Sequence, residues 1–139
     1  MNILLVDGYN VIHSLPQFRK FLDVKLEQAR SSLIQALAQL AKSKKGNVRI
    51  HVFFDGKADA DFFSVDPIVA GVEVHFSRGE TADQLILDYL QEIKDSGEVT
   101  VVTDDRSLAR QAGSERATIL SSDGLGHRLQ KTVSKSDKF

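Results

Sequence analysis

A chain of 139 residues, 42% hydrophobic and 27% charged, fits one globular domain over 1–139 and leaves no room for a second. The formal charge of −1 argues against a uniformly basic protein that coats duplex nucleic acid, although clustered acids can mask a basic rim in the total. With no cysteine, a disulfide framework and a zinc site built on thiolates are both excluded.

The opening Met1-Asn2-Ile3-Leu4-Leu5-Val6-Asp7 lacks a basic leader, and its apolar stretch is too short for a signal peptide or a membrane span. A cytoplasmic protein without membrane contact is expected. Ile3 to Val6 is an unbroken apolar run, the pattern of a strand buried on both faces in the middle of a parallel sheet. It stops abruptly at Asp7-Gly8-Tyr9-Asn10. Val11 to Phe21, with Pro16 inside it, reads as a loop or a short helical turn. Asp23 is placed to cap a long helix whose apolar stripe is Leu26, Ala29, Leu33, Leu37 and Leu40. Lys42, Lys44 and Lys45 before Gly46 match the end of that helix.

Val48 to Phe54 predicts a second strand, stopping at Asp55-Gly56. Residues 57–71 read as a loop with room for one helical turn. Val72 to Phe76 alternates cleanly and predicts a shorter strand near a sheet edge. Thr81 and Gln84 form a capping box for a helix with the stripe Ala82, Leu85, Ile86, Tyr89, Leu90 and Ile93. Val99 to Val102 is another strand, ending at Thr103-Asp104-Asp105-Arg106. A short helix to about Ala112 and a small strand at Ala117 to Leu120 follow. Residues 123–139 predict a C-terminal helix (Leu125, Leu129, Val133) and a basic tail with Arg128, Lys131, Lys135 and Lys138. Alternation of strands and helices points to an α/β fold, a mostly parallel sheet covered on both faces. Ligands in such folds bind at the C-terminal edge of the strands, where strand order reverses.

Three strands end in aspartate, at Asp7, Asp55 and the pair Asp104-Asp105, and Asp83 sits in the first turn of a helix. In a parallel sheet all of them can meet on one edge. Carboxylates brought together repel, so such a cluster calls for a cation or for protonation of some members. Oxygen ligands without sulfur or paired histidine suit Mg²⁺ or Mn²⁺, and such a site hydrolyses phosphate esters. Each acid also has a plainer reading. Aspartates at strand ends form turns or cap helices, Asp83 complements a helix dipole, and one of Asp104 and Asp105 should cap the helix that follows. His51 and His75 read as structural strand residues, while His13 is near enough to Asp7 to line a site. No Walker loop or dinucleotide fingerprint is present.

The stretch Asp7-Gly8-Tyr9-Asn10-Val11-Ile12-His13 resembles the opening signature of the NYN domain, in its YacP-like branch of the PIN-like nuclease superfamily. Phe54-Asp55-Gly56, Gly79-Glu80-Thr81-Ala82-Asp83 and Val101-Val102-Thr103-Asp104-Asp105-Arg106 fit the same pattern in the same order, covering residue 3 to about 125. The resemblance implies a three-layer α/β/α sandwich with a central, mostly parallel PIN-like sheet. It implies a metal-dependent endoribonuclease that cleaves single-stranded RNA, mRNA included, by metal-activated water. Asp7, Asp83 and Asp105 would hold Mg²⁺ or Mn²⁺, with Asn10 orienting a ligand, water or phosphate. The family pattern has Thr-Ser-Asp-Arg in the fourth motif, so Asp105 matches its acid while Asp104 replaces a serine, and either could face the metal. Asp55 has no assigned role beyond its Asp-Gly turn. Arg106, Arg78 and His13 are the expected substrate contacts, with Lys20 and the basic tail behind them. A ribosome-bound message and a free one are equally compatible with the sequence, and oligomeric state is not encoded in any motif. The rival functions are a non-catalytic RNA-binding module on the same fold and a receiver-like phosphoacceptor domain. The second would want an acidic pair after the first strand and a lysine after the last, where Gly8 and Ser121 stand.

Overall fold

A computed structural model of the chain describes residues 2–56, 68–69, 71–77, 80–93 and 97–136. Its central strand is β1 (Asn2–Asp7), flanked by β2 (Val48–Phe54) and β5 (Val99–Val102), with β4 (Val72–Phe76) beyond β2 and β6 (Thr118–Leu120) beyond β5. These five strands run parallel. A two-residue strand, β3 (Ile68–Val69), pairs antiparallel on the outer side of β4. That pairing follows a hairpin through Gly71, whose φ of +87° suits glycine. Ile68 and Val69 fall within the 57–71 stretch expected as a loop; residues 57–67 and 70 of that stretch lie outside the described residues.

The helices are α1 (Gly8–Ser14), α2 (Pro16–Arg19), α3 (Leu26–Ser43), α4 (Ala82–Ile93), α5 (Arg106–Ser114) and α6 (Ser122–Ser136). Strand periodicity sorts them into two layers. Leu4, Val6, Ile50, Val52, Phe54, Val72 and Val74 pack against α1, α2, α3 and α6. On the other face, Ile3, Leu5, Phe53, Val99 and Val101 pack against Ala82, Ile86 and Leu90 of α4 and Leu108 and Ala112 of α5. The expected three-layer α/β/α sandwich is therefore present. Each fully buried aliphatic side chain contributes roughly 1.5–3 kcal/mol to this arrangement. No helix among the described residues is long and apolar enough to cross a membrane.

One local expectation is sharpened and one corrected. Of the loop or short helical turn expected over Val11 to Phe21, the helical alternative holds, because α1 begins at Gly8, immediately after β1, and α2 follows after Leu15. Pro16 occupies the first turn of α2, where its missing N–H costs nothing. Asp23 does not cap α3. It closes a 3-10 turn over Lys20–Asp23, and the chain becomes extended only at Lys25, the residue before α3. Leu26 consequently falls outside the buried stripe and is 41% exposed. The stripe of α3 instead takes in Arg30, whose Nε donates to the Tyr9 hydroxyl at 2.7 Å and whose guanidinium lies over the Tyr9 and Phe76 rings.

The topology decides where a ligand can sit. The chain steps outward from β1 to β2 and β4, and α4 then carries it back across the sheet to β5 on the other side of β1. Strand order therefore reverses between β1 and β5. The crevice opens at their C-terminal ends, between Asp7 and Thr103.

Candidate functional site

Asp7 is the last residue of β1 and shares the face of Ile3 and Leu5, toward α4 and α5. It occupies the cap position of α1 but makes no side-chain cap, so the plain helix-capping reading does not hold for it. Its carboxylate instead accepts a hydrogen bond from the Thr103 hydroxyl at 3.0 Å. Thr103, on the face of Val99 and Val101 in the adjacent strand, is buried and accepts in turn from the Asp105 backbone N–H at 3.0 Å. Burial pushes the Asp7 carboxyl up to about 7, against the Thr103 hydrogen bond and with further upward pressure from Asp83, Asp55 and Asp105.

Asp83 and Asp105 complete the edge. Asp83, one residue into α4, is raised above the ordinary carboxylate value by burial first, then by the charges of Asp105 and Asp55 and a side-chain hydrogen bond with Asp105. Asp105 is a true N-cap: one oxygen accepts from the Ser107 and Leu108 backbone N–H groups at 2.8 and 3.1 Å, leaving the other for the crevice. Asp55 uses one oxygen to accept from the Ala82 N–H at 2.6 Å, which anchors the start of α4. The four acids are thus brought together by strand parity and by two helix N-termini.

Asp104 is engaged elsewhere. Its carboxylate accepts from the Ser122 N–H at 2.9 Å and from the Ser14 hydroxyl at 2.8 Å, which ties the start of α6 to the end of α1. Burial works to raise its pKa, but these hydrogen bonds outweigh it and hold the group below the ordinary range. Asn10 braces the same loop, its Oδ1 accepting from the Asp104 N–H at 2.7 Å and lying 3.5 Å from the Ser122 hydroxyl. Its amide NH₂ is the part able to donate to a ligand.

Among the expected substrate contacts, Arg106 is exposed at the start of α5, directly after Asp105, and His13 is exposed in the last turn of α1. Arg78 lies outside the described residues. Lys20 lies over the Phe21 ring at 5.2 Å. Arg128 and Lys131, from the basic tail, line a cleft with Asn2, Val48 and Thr118 at the N-terminal ends of the strands. That is the edge opposite the acids, so these two cations do not flank the site. Lys138 lies outside the described residues.

Thr103 was missed by the motif reading, although its parity with Val99 and Val101 was available. Removing its hydroxyl in Thr103→Val leaves the buried Asp7 carboxylate without that donor, so Asp7 is expected to titrate above its present value of about 7. Carboxyl-carbon NMR titration of the metal-free variant checks this; an unchanged or lower value would mean the bond does not stabilise the ionised form.

A second polar group on the α4 face was also missed. His51 of β2 and Glu73 and His75 of β4 bring their ligand atoms within 4.8 Å of one another, a group able to hold a metal ion.

Comparison with known proteins agrees with this architecture. A family model described as the YacP-like NYN domain matches residues 4–139. The protein YacP of Bacillus subtilis (strain 168) is 36% identical over 107 residues, covering 76% of this chain and 61% of that protein, so the match spans less than two thirds of the relative's length. A crystal structure of Rae1 (YacP) from Bacillus subtilis superposes with a TM-score of 0.83 at 28% identity, covering 99% of this chain and 79% of that one. A mutant form of the same protein gives 0.82 over 98% and 79%.

Proposed function

Because this chain belongs to the YacP-like NYN domain family, with its nuclease-like fold, we propose that it is a metal-dependent endoribonuclease that cleaves single-stranded RNA, mRNA included, at the acidic edge of its sheet. The observation that carries this reading is geometric: Asp7 at the end of β1 and the Asp105 N–H both bond to Thr103, and Asp55 anchors the start of the helix that carries Asp83, so the acids meet at the β1–β5 crevice.

The donor set fits Mg²⁺ or Mn²⁺. All of its atoms are hard oxygens, and the repulsion among them is what a divalent cation relieves. Asp7, Asp83 and the second oxygen of Asp105 would hold the ion. When bound, it supplies a water of lowered pKa and positive charge against the phosphodiester oxygens. The chain's own groups do the rest. Thr103 fixes the Asp7 carboxylate through its 3.0 Å hydrogen bond, and the cap to Ser107 and Leu108 fixes Asp105. Asn10 and Asp104 hold the loop that carries Asp105, and in this reading the Asn10 amide and Arg106 would donate to substrate phosphate. His13 is the remaining candidate contact on the α1 side.

Paired substitutions on an unstructured RNA with Mn²⁺ test the assignment. Asp105→Asn keeps an acceptor for the cap and so keeps the fold, yet should lower the cleavage rate by ~100-fold or more, about 2.7 kcal/mol of barrier. Asp104→Asn keeps one oxygen for the Ser122 N–H and turns its NH₂ toward the Ser14 hydroxyl oxygen, which can accept, so it should stay within about threefold of the parent, under roughly 1 kcal/mol. The reverse ranking would transfer the ligand role to Asp104. Parent protein that leaves the RNA intact with either metal would leave binding without cleavage as the function.

A further inference from the structure

We propose that His51, Glu73 and His75 form a binding site for a borderline divalent transition ion of the zinc class, separate from the acidic edge and independent of what that edge does. His51 Nδ1 lies 3.0 Å from Glu73 Oε2 and 3.0 Å from His75 Nε2, and the third side of the triangle, His75 Nε2 to Glu73 Oε2, is 3.9 Å. Two imidazole nitrogens and a carboxylate oxygen are the donor set such an ion prefers. In a tetrahedral site with bonds of about 2.0–2.1 Å, ligand atoms stand roughly 3.3–3.4 Å apart, a separation these three edges bracket.

The sheet builds the triangle. His51 and Glu73 are register partners on β2 and β4, and His75 follows Glu73 by two residues, so all three side chains leave the same face. Two further contacts hold the rings in place. Tyr89 of α4 places its hydroxyl 3.2 Å from His51 Nε2. An Nε2–H donated to that oxygen selects the tautomer whose Nδ1 lone pair points into the triangle. The His75 ring stacks on Phe53, with centroids 4.6 Å apart and planes 13° apart. His51 is buried at 1% while Glu73 is 42% exposed, so the ion enters from the Glu73 side and a solvent water completes its shell. Asp7 and His75 are register partners of Phe53 from its two sides, so two strand spacings, about 10 Å, with the Phe53 ring stacked on His75 between them, keep the two sites from sharing an ion. Occupied, the site clamps β4 to β2 and, through Tyr89, to the helix that carries Asp83.

Chelator-stripped protein, equilibrated with Zn²⁺ alone and desalted, tests the proposal by metal content and thermal midpoint. The parent chain and the Asp7→Asn/Asp83→Asn double variant should each retain one equivalent and melt higher with zinc. His75→Ala should retain none and show no zinc-dependent shift. Tyr89→Phe, which loses only the orienting oxygen, should weaken binding about 10- to 100-fold. Should His75→Ala fail to fold, Glu73→Gln at the half-exposed position gives the same reading through loss of zinc. No zinc on the parent chain, or zinc lost with the aspartates and kept in His75→Ala, overturns the proposal.

Discussion

Asp7→Asn is expected to silence RNA cleavage and, at the same time, to stabilise the metal-free protein above neutral pH. The first effect follows from removing a charged ligand at the centre of the acidic edge, and a loss of ~1000-fold or more, about 4 kcal/mol of barrier, is expected. The second follows from the titration of the group. In the fold the Asp7 carboxyl is pushed up to about 7 from an ordinary 3.8, chiefly by burial. Between those values the folded chain keeps a proton that the unfolded chain has released. Stability therefore falls as pH rises through that window and is level on either side of it. The full displacement corresponds to up to about 4 kcal/mol. Asparagine has no proton to lose and still offers an oxygen to Thr103, so the variant escapes this penalty. Urea denaturation in chelator at pH 8 should show the variant as the more stable protein, with the difference gone at pH 4. A variant less stable than the parent at pH 8 would mean that the fold favours ionised Asp7. Loss of activity with gain of stability is what separates a strained functional carboxylate from a structural one.

Gly8→Ala should be among the most destabilising single substitutions in the chain. Alanine inside a helix normally gains up to about 1 kcal/mol over glycine. Here a Cβ would stand 2.4 Å from Phe54 Cε1, 2.6 Å from Phe54 Cδ1 and 2.9 Å from the Phe53 carbonyl oxygen. Phe54 is fully buried and packs against Tyr9 and Phe76, with ring centroids 5.0 and 5.5 Å away, so its ring cannot swing aside cheaply. The carbonyl belongs to the backbone of a central strand. Overpacking of this kind costs about 3 kcal/mol or more, enough to reverse the propensity gain. A denaturation midpoint shifted sharply down with an unchanged slope is the expected result. A neutral or stabilising effect would mean that α1 can slide outward along β2.

That glycine also shows how far local pattern reaches. Val48–Phe54, Val72–Phe76 and Val99–Val102 were legible as strands because each is an apolar or alternating run cut off by polar residues. Asp7-Gly8-Tyr9-Asn10 was legible only as a polar break after the first strand, and the need for a residue without a side chain at Gly8 comes from Phe54, 46 positions away. The convergence of Asp7, Asp55, Asp83 and Asp105 was legible from strand ends in a parallel sheet. The separate duty of Asp104 was not, since its partners are Ser14 and Ser122 on helices brought together only by packing. His51 and His75 were read as structural strand residues, and what that reading left out was Glu73 and the alignment itself. A strand aligns residues two apart, and paired strands align residues opposite one another, so the three meet only once the register of β2 and β4 is known. Arg30 was hidden in the same way, a cation inside an apolar stripe whose aromatic partners lie on β4 and α1.

The hydrogen bond between Thr103 and Asp7 joins residues 96 apart, and the one from Asp104 to Asn10 joins residues 94 apart. In a chain made from its N-terminus, Asp7 is made well before Asp55, Asp83, Thr103 and Asp105. β1, β2 and β4 all precede α4 and β5 in the chain, and the crevice has only one wall until β5 docks on the far side of β1. The acidic edge thus cannot be complete before β5 and Asp105 are made, and partly synthesised chains carry Asp7 without the partners that would arm it. A protein proposed to cut RNA is by this arrangement inert for most of its own synthesis, beside the message that encodes it.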